Sequence, residues 1–268
     1  MRNADHTQAT KPGAWAQVLA LSVTETVSWG ILYYAFAVFL VPMGDDLGWS
    51  RADLTGAFSL ALLVAGLAGV PIGRWLDRHG PRALMTAGSI LAALLVAGWA
   101  SVDRLPLFYV IWVGLGLAMA AVLYEPAFAV IATSFPERRE RSRALTVLTF
   151  VGGFASVIFI PLASWLIAHL GWRPALLTLA VILAVVTIPL HALVLRPRGE
   201  ADVGSQALAV GSRESGEVPR TADAKLRDVL RSVAFWALGG GFFLVMAAVV
   251  AVTIHLIPFL QEQGFSAS

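Results

Sequence analysis

The sequence predicts an all-α membrane protein: a six-helix transmembrane bundle followed by a seventh span. Three observations predict it. Of the 268 residues 58% are hydrophobic and only 13% are charged, whereas a soluble domain of this size carries about 25% charge. Mean hydropathy is +0.76. The charges fall in short clusters between long uncharged runs, and those runs reach the ~20 residues a helix needs to cross ~30 Å of hydrocarbon.

The first run, 14–43, is too long for a signal-peptide core and reads as a retained span, its extra length fitting a tilted helix. Runs at 54–73, 83–102, 105–134, 144–168 and 174–195 follow with short connections. Residues 196–231 are polar and rich in Gly, Ser, Glu and Arg, and they read as a flexible linker. A seventh run, 232–260, leads into residues 261–268. The expected organisation is therefore a tail over 1–13, a bundle over 14–195, a linker over 196–231 and, over 232–268, the first span of a second bundle, cut short.

Arginine and lysine set the expected orientation. With the N-terminus inside, all of the 19 basic residues except Arg51, Arg104 and Arg173 fall on the inner side, as the positive-inside rule requires. The same placement explains the pI of 9.3 without nucleic acid. Cysteine is absent, which removes disulfides and thiolate chemistry. The excess of Arg over Lys and the abundant alanine suggest a GC-rich bacterial genome, hence a bacterial inner membrane.

The inner loop between spans two and three reads Gly73-Arg74-Trp75-Leu76-Asp77-Arg78-His79-Gly80-Pro81-Arg82. It resembles the G-x-x-x-D-R-x-G-R-R signature of the major facilitator superfamily, matching at Gly73, Asp77, Arg78, Gly80 and Arg82 and departing at Pro81. Gly48-Trp49-Ser50-Arg51, Ser134-Phe135-Pro136-Glu137-Arg138-Arg139, Gly171-Trp172-Arg173-Pro174 and Phe235-Trp236 resemble bacterial relatives of the monocarboxylate transporters. Span one departs from the acidic-Gly-Gly-Trp-Gly pattern of the animal carriers, offering Glu25 and then Trp29-Gly30. Span five has Gly152-Gly153 without the Gly-Pro pair of drug antiporters. The resemblance implies two inverted three-helix repeats, a missing second bundle, and an inner gate in which Asp77 and its neighbours take part. In physical terms, Gly73 and Gly80 permit close approach and positive φ at a sharp reversal. Asp77 can meet a helix N-terminus or an arginine, although topogenic charge alone would also account for the loop.

Two acids lie within the spans, Glu25 and Glu125. A charge at mid-membrane costs about 2.5–3.5 kcal/mol on insertion scales, so each calls for a partner, a proton or a wet cavity. Glu25 lies about 16 Å from the inner start of span one and Glu125 about 14 Å from the inner end of span four, at 1.5 Å per residue. The resemblance implies that spans one and four are equivalent and line the central cavity. The pair is therefore the candidate for proton coupling, with separate hydrogen-bonded acids as the plainer alternative. Glu25, Trp29 and Tyr33 recur every four residues and form one stripe, with Tyr124 beside Glu125. These aromatics suit either an organic solute or simple packing. Pro126 favours a bend beside the acid.

Other features carry less. Gly66 and Gly69, Gly114 and Gly116, and Gly152-Gly153 read as close helix packing. Ser50 with Asp53 reads as a helix cap. His191 and His255 lie near span ends and read as interfacial. Neither lysine, Lys11 or Lys225, lies in a span, which removes a retinal photoreceptor. No HExxH, GxSxG or paired-histidine constellation occurs, so no enzyme, metal or cofactor is expected. The expected partners are lipid, a small-molecule substrate and protons. A small organic acid moved with protons is the expected cargo. The alternatives are export of a drug or metabolite, a non-transporting sensor, or an inactive fragment.

Overall fold

A computed structural model describes residues 13–196, 231–242, 244, 245 and 248. Among them six helical segments are long and apolar enough to cross a membrane: Ala14–Leu47, Arg51–His79, Pro81–Trp99, Leu105–Ser134, Arg138–Leu170 and Trp172–Val194. The helices outrun the hydrophobic windows at their charged ends. Arg51 and Asp53 belong to the second segment because Ser50 and Asp53 form a reciprocal capping box. Arg138 to Arg143 belong to the fifth because arginine is a good helix former even where hydropathy fails.

Individual helices are α1 (Ala14–Trp29), α2 (Ala35–Leu47), α3 (Arg51–His79), α4 (Pro81–Trp99), α5 (Leu105–Val122), α6 (Tyr124–Ser134), α7 (Arg138–Gly152), α8 (Ala155–Leu170) and α9 (Trp172–Val194). Gly80 makes the α3–α4 reversal at φ +84°, and Pro81 opens α4 at a position where a missing N–H costs nothing. Gly73, by contrast, lies inside α3 with open space beside it. A separate unit holds a short apolar helix, α10 (Val233–Phe242). The rest of the expected seventh span, His255 and nearly all of the linker lie outside the described residues.

Large apolar side chains such as Leu67, Leu94, Val110 and Leu193 are exposed, as lipid-facing residues are. In lipid the hydrophobic effect does not draw helices together, so packing and hydrogen bonds must. The principal pairs are α3 with α5, α4 with α9 and α4 with α5. At Gly116 of α5 a side chain would collide with the Ala61 carbonyl of α3, so this glycine sets how closely the two helices approach. Gly114 and Gly152 are crowded by side chains, Leu95 and Tyr124, but Gly66 and Gly69 face open space. The expectation of close packing thus fails at those two.

Two apolar cores result. The larger contains Phe36, Phe39, Trp99, Phe108 and Trp112, with Trp99 and Trp112 ring centroids 4.9 Å apart. The smaller gathers Val18, Leu21, Met85, Val130, Ile131, Phe135 and Leu148 near the arginine-rich end. Between them runs a polar layer. It holds Ser22, Thr24, Glu25, Thr26 and Ser28 of α1, and span four enters it at Tyr124 and Glu125.

At the opposite end Arg173 fastens three segments. Its guanidinium donates to the carbonyls of Ala100 (3.1 Å) and Val102 (3.2 Å) and to Asp103 (2.6 Å), and reaches Asp46 at 3.5 Å. It also lies 4.3 Å from the Trp172 ring centroid. Exposed ion pairs contribute only about 0–1 kcal/mol each. Here the two carbonyl bonds and the ring fix the geometry.

Candidate functional site

Three spans lose regular helix around this polar layer. In span one a π-helical turn, Gly30–Tyr34, separates α1 from α2, with Ala35 N–H donating five residues back to the Gly30 carbonyl. Gly30 lies directly against the Phe159 ring of α8, where any side chain would collide. In span four Leu123 is extended. Pro126 would clash with the carbonyl four residues back, and the chain breaks there and restarts as α6. Span five breaks at Gly153 and Phe154, between α7 and α8. The Val151 carbonyl near the end of α7 accepts a hydrogen bond from Thr26 Oγ1 at 3.0 Å. Such interruptions are tolerated at membrane depth only where protein or a cavity satisfies the freed groups.

Glu25 occupies this level. It is 0% exposed, and neither carboxyl oxygen has a hydrogen-bond partner. The Trp29 indole lies beside it, and the indole N–H has no hydrogen-bond partner within ordinary geometry. Glu125, in the first turn of α6, is exposed and lies within charge–charge reach of Glu25. Both acids therefore belong to one region but are not equals. One is sealed in, and the other opens on the surface of the bundle.

The aromatic stripe is present and larger than its spacing suggests. Trp29 lies 5.3 Å from Tyr33 and 5.3 Å from Tyr124, centroid to centroid. The π turn also swings in Tyr34, 5.1 Å from Tyr33 and 6.4 Å from Trp29, and Tyr33 meets Phe58 of α3 at 5.3 Å. Sequence reasoning missed Tyr34 and Phe58, because a four-residue rule assumes unbroken α-helix. Tyr124 stacks on Phe128 (5.2 Å), and a Cβ at Gly152 would stand 2.5 Å from its hydroxyl. Gly152 is therefore what lets Tyr124 lie against span five.

The signature loop sits apart, at the arginine-rich end. Asp77, Arg78 and Arg82 make no ion pair among the described residues, and Asp77 caps no helix. No group of three His, Asp or Glu side chains suited to a metal occurs among the described residues.

His191 overturns its interfacial reading. It is 1% exposed and joins three spans. Thr24 Oγ1 already donates to the Leu21 carbonyl (3.1 Å), so it accepts from His191 Nε2–H at 3.0 Å. Nδ1 lies within hydrogen-bond distance of Ser89 Oγ, at 2.8 Å. The ring thereby ties α9 to both α1 and α4. Only a fold that brings α1, α4 and α9 together reveals this node. In a double-mutant cycle of Thr24→Val and His191→Leu, SDS unfolding should give a coupling of about 0.6–1.7 kcal/mol, the range for hydrogen bonds between membrane helices. Strict additivity would deny the bond.

Comparison with known proteins gives a consistent set of likenesses. A family model described as Major Facilitator Superfamily matches residues 22–268. The oxalate:formate antiporter of Oxalobacter formigenes is 25% identical over 237 residues, 87% of this chain and 53% of that protein. Monocarboxylate transporter 13 of Rattus norvegicus is 33% identical over 178 residues, 64% of this chain and 40% of its own. The crystal structure of a bacterial homolog of the human lysosomal transporter Spinster, inward-facing and unoccupied, aligns with a TM-score of 0.65 at 19% identity. It covers 96% of this chain and 58% of that one, a likeness of fold alone. The chain spans about half the length of the curated relatives it matches.

Proposed function

Because the chain belongs to the major facilitator superfamily, we propose that it supplies the first bundle of a proton-coupled secondary transporter for a small organic solute such as a monocarboxylate. Alternating access would rock this bundle against a second one around a site at mid-membrane. The carrying observation is Glu25: a fully buried carboxyl without a partner, where three spans break. A buried acid of this kind is an expensive feature for a bundle that only had to pack. Glu125 offers a second carboxyl within reach of charge interaction. Trp29, Tyr33, Tyr34 and Tyr124 offer flat apolar walls with polar tips, suited to a small organic molecule.

The organic-acid reading draws on relatives whose names specify oxalate, formate and monocarboxylates. Residues 14–47, 105–134 and 144–170 contain no lysine or arginine, so the cation that pairs with a carboxylate cargo comes from the second bundle. Asp77, Arg78 and Arg82, which make no ion pair among the described residues, fit a gate that closes against that bundle. In this reading the N-terminus is cytoplasmic, supported by the positive-inside rule, and the membrane is a bacterial inner membrane, supported by the excess of Arg over Lys.

Liposomes test this reading. A polypeptide carrying both bundles should accumulate lactate or oxalate under an inward proton gradient and stop when a protonophore collapses it, while residues 1–268 alone give no flux. Uptake indifferent to the protonophore would overturn proton coupling. Flux through residues 1–268 alone would overturn the need for a second bundle.

A further inference from the structure

Three consecutive residues, Thr24, Glu25 and Thr26, leave α1 in directions about 100° apart. On one side Thr24 Oγ1 meets His191 Nε2 of α9 at 3.0 Å. On the other, Thr26 Oγ1 meets the Val151 carbonyl near the end of α7, also at 3.0 Å. Glu25 lies between these two ties, fully buried and with neither oxygen bonded. Trp29 and Tyr124 both lie within interaction distance of its carboxyl, and their rings close on each other at 5.3 Å.

Thr26 differs from the other threonines. A helical threonine ordinarily donates to the carbonyl three or four residues earlier, as Thr24, Thr55, Thr146 and Thr187 do. Among the described threonines Thr26 alone also reaches a carbonyl of another span. Its oxygen stands 2.8 Å from the Ser22 carbonyl of its own helix and 3.0 Å from that of Val151. A hydroxyl has one hydrogen, so the two carbonyls compete for it. Val151 keeps a second donor, the Phe154 N–H at 3.1 Å, and stays satisfied when Thr26 turns away. The next residue, Gly152, lies against the Tyr124 hydroxyl. One turn of α7 therefore holds both α1 and a ring beside the buried acid.

We propose that Thr26 is a positioning residue for Glu25. Donating across to Val151, it clamps α1 to the break in span five and keeps the carboxyl sealed. Turning back to Ser22, it frees that side of α1, which then pivots on the Thr24–His191 tie and brings the carboxyl out towards Glu125. This rests on the reading of Glu25 as the proton carrier. A carrier must be closed off at one moment and open at the next, and one hydroxyl shared between two carbonyls supplies two such arrangements without leaving either carbonyl bare.

The test reads carboxyl modification and needs no transport. The full chain in detergent is treated with dicyclohexylcarbodiimide, which enters apolar phases and modifies protonated carboxyl groups, and peptide mass spectrometry gives the rates at Glu25 and Glu125. In wild type Glu125, which is exposed, should react while Glu25 is protected. Thr26→Val keeps the side-chain shape and loses the donor. Glu25 should then react about 3- to 18-fold faster, the factor that ~0.6–1.7 kcal/mol for one hydrogen bond between membrane helices gives at 25 °C. Thr26→Ser keeps the donor and loses a methyl group, so Glu25 should stay protected. A packing role alone would reverse that order, with serine opening the site and valine leaving it closed. Thr55→Val, which removes a bond within one helix only, should change neither rate. Equal reactivity of the two acids in wild type, an unchanged rate in Thr26→Val, an equal rise in Thr55→Val, or faster reaction in Thr26→Ser than in Thr26→Val would each overturn the proposal. Uptake indifferent to a protonophore would instead overturn the proton-carrier reading and leave the labelling pattern standing.

Discussion

Glu25→Leu is expected to stabilise the bundle and to abolish proton-driven uptake in the same protein. The two effects share one cause. Glu25 is fully buried and neither of its oxygens is bonded, a condition that costs about 1–3 kcal/mol for a polar group. Leucine fills similar space with nothing left to satisfy, so unfolding in detergent should require about 1–3 kcal/mol more. Uptake by a polypeptide carrying both bundles should fall to the level of empty liposomes, since leucine carries no proton. Glu25→Gln separates the causes: it keeps a buried polar group, so it should lose uptake without gaining stability. A Glu25→Leu protein that still accumulated solute would remove this residue from the mechanism. One that gained no stability would mean the carboxyl is satisfied in a way the structure does not record.

Gly116→Val should be the most damaging single change in the bundle. A Cβ there would strike the backbone carbonyl of Ala61 and stand 3.0 Å from Val64 Cβ, and backbone cannot swing aside as a side-chain tip can. Overpacking a filled interior costs about 1–3 kcal/mol and occasionally more; with an immovable neighbour, about 3 kcal/mol is expected. Gly66→Val is the matched control, because open space surrounds Gly66 and its unfolding should be unchanged. Equal unfolding midpoints for the two variants would show that α3 and α5 are not held by this contact.

Much of the fold was legible because membrane crossing imposes a length and a polarity on each segment. The six expected spans fall inside the six observed helices to within a few residues, and they differ where an arginine or a capping serine extends a helix past the apolar window. That Glu25 and Glu125 belong to apolar spans was legible for the same reason. What could not be read was whatever depends on neighbours in space. The π turn at Gly30 lies against Phe159, which is far along the chain, so Tyr34 gave no sign of joining the site. The different exposures of the two acids follow from packing around each, and spacing cannot express that. Pro126 announced a disturbance without saying that Leu123 would be extended. His191 looked interfacial because its partners, Thr24 and Ser89, belong to helices remote in sequence.

The Arg173 cluster has a mechanical consequence. One guanidinium ties the ends of three segments on its side of the membrane, whereas Asp77, Arg78 and Arg82 at the other side are bound to nothing described. The two ends are thus held by different means, one by a single guanidinium and the other by the smaller apolar core. Loss of Arg173 would loosen its own end and leave the other packed.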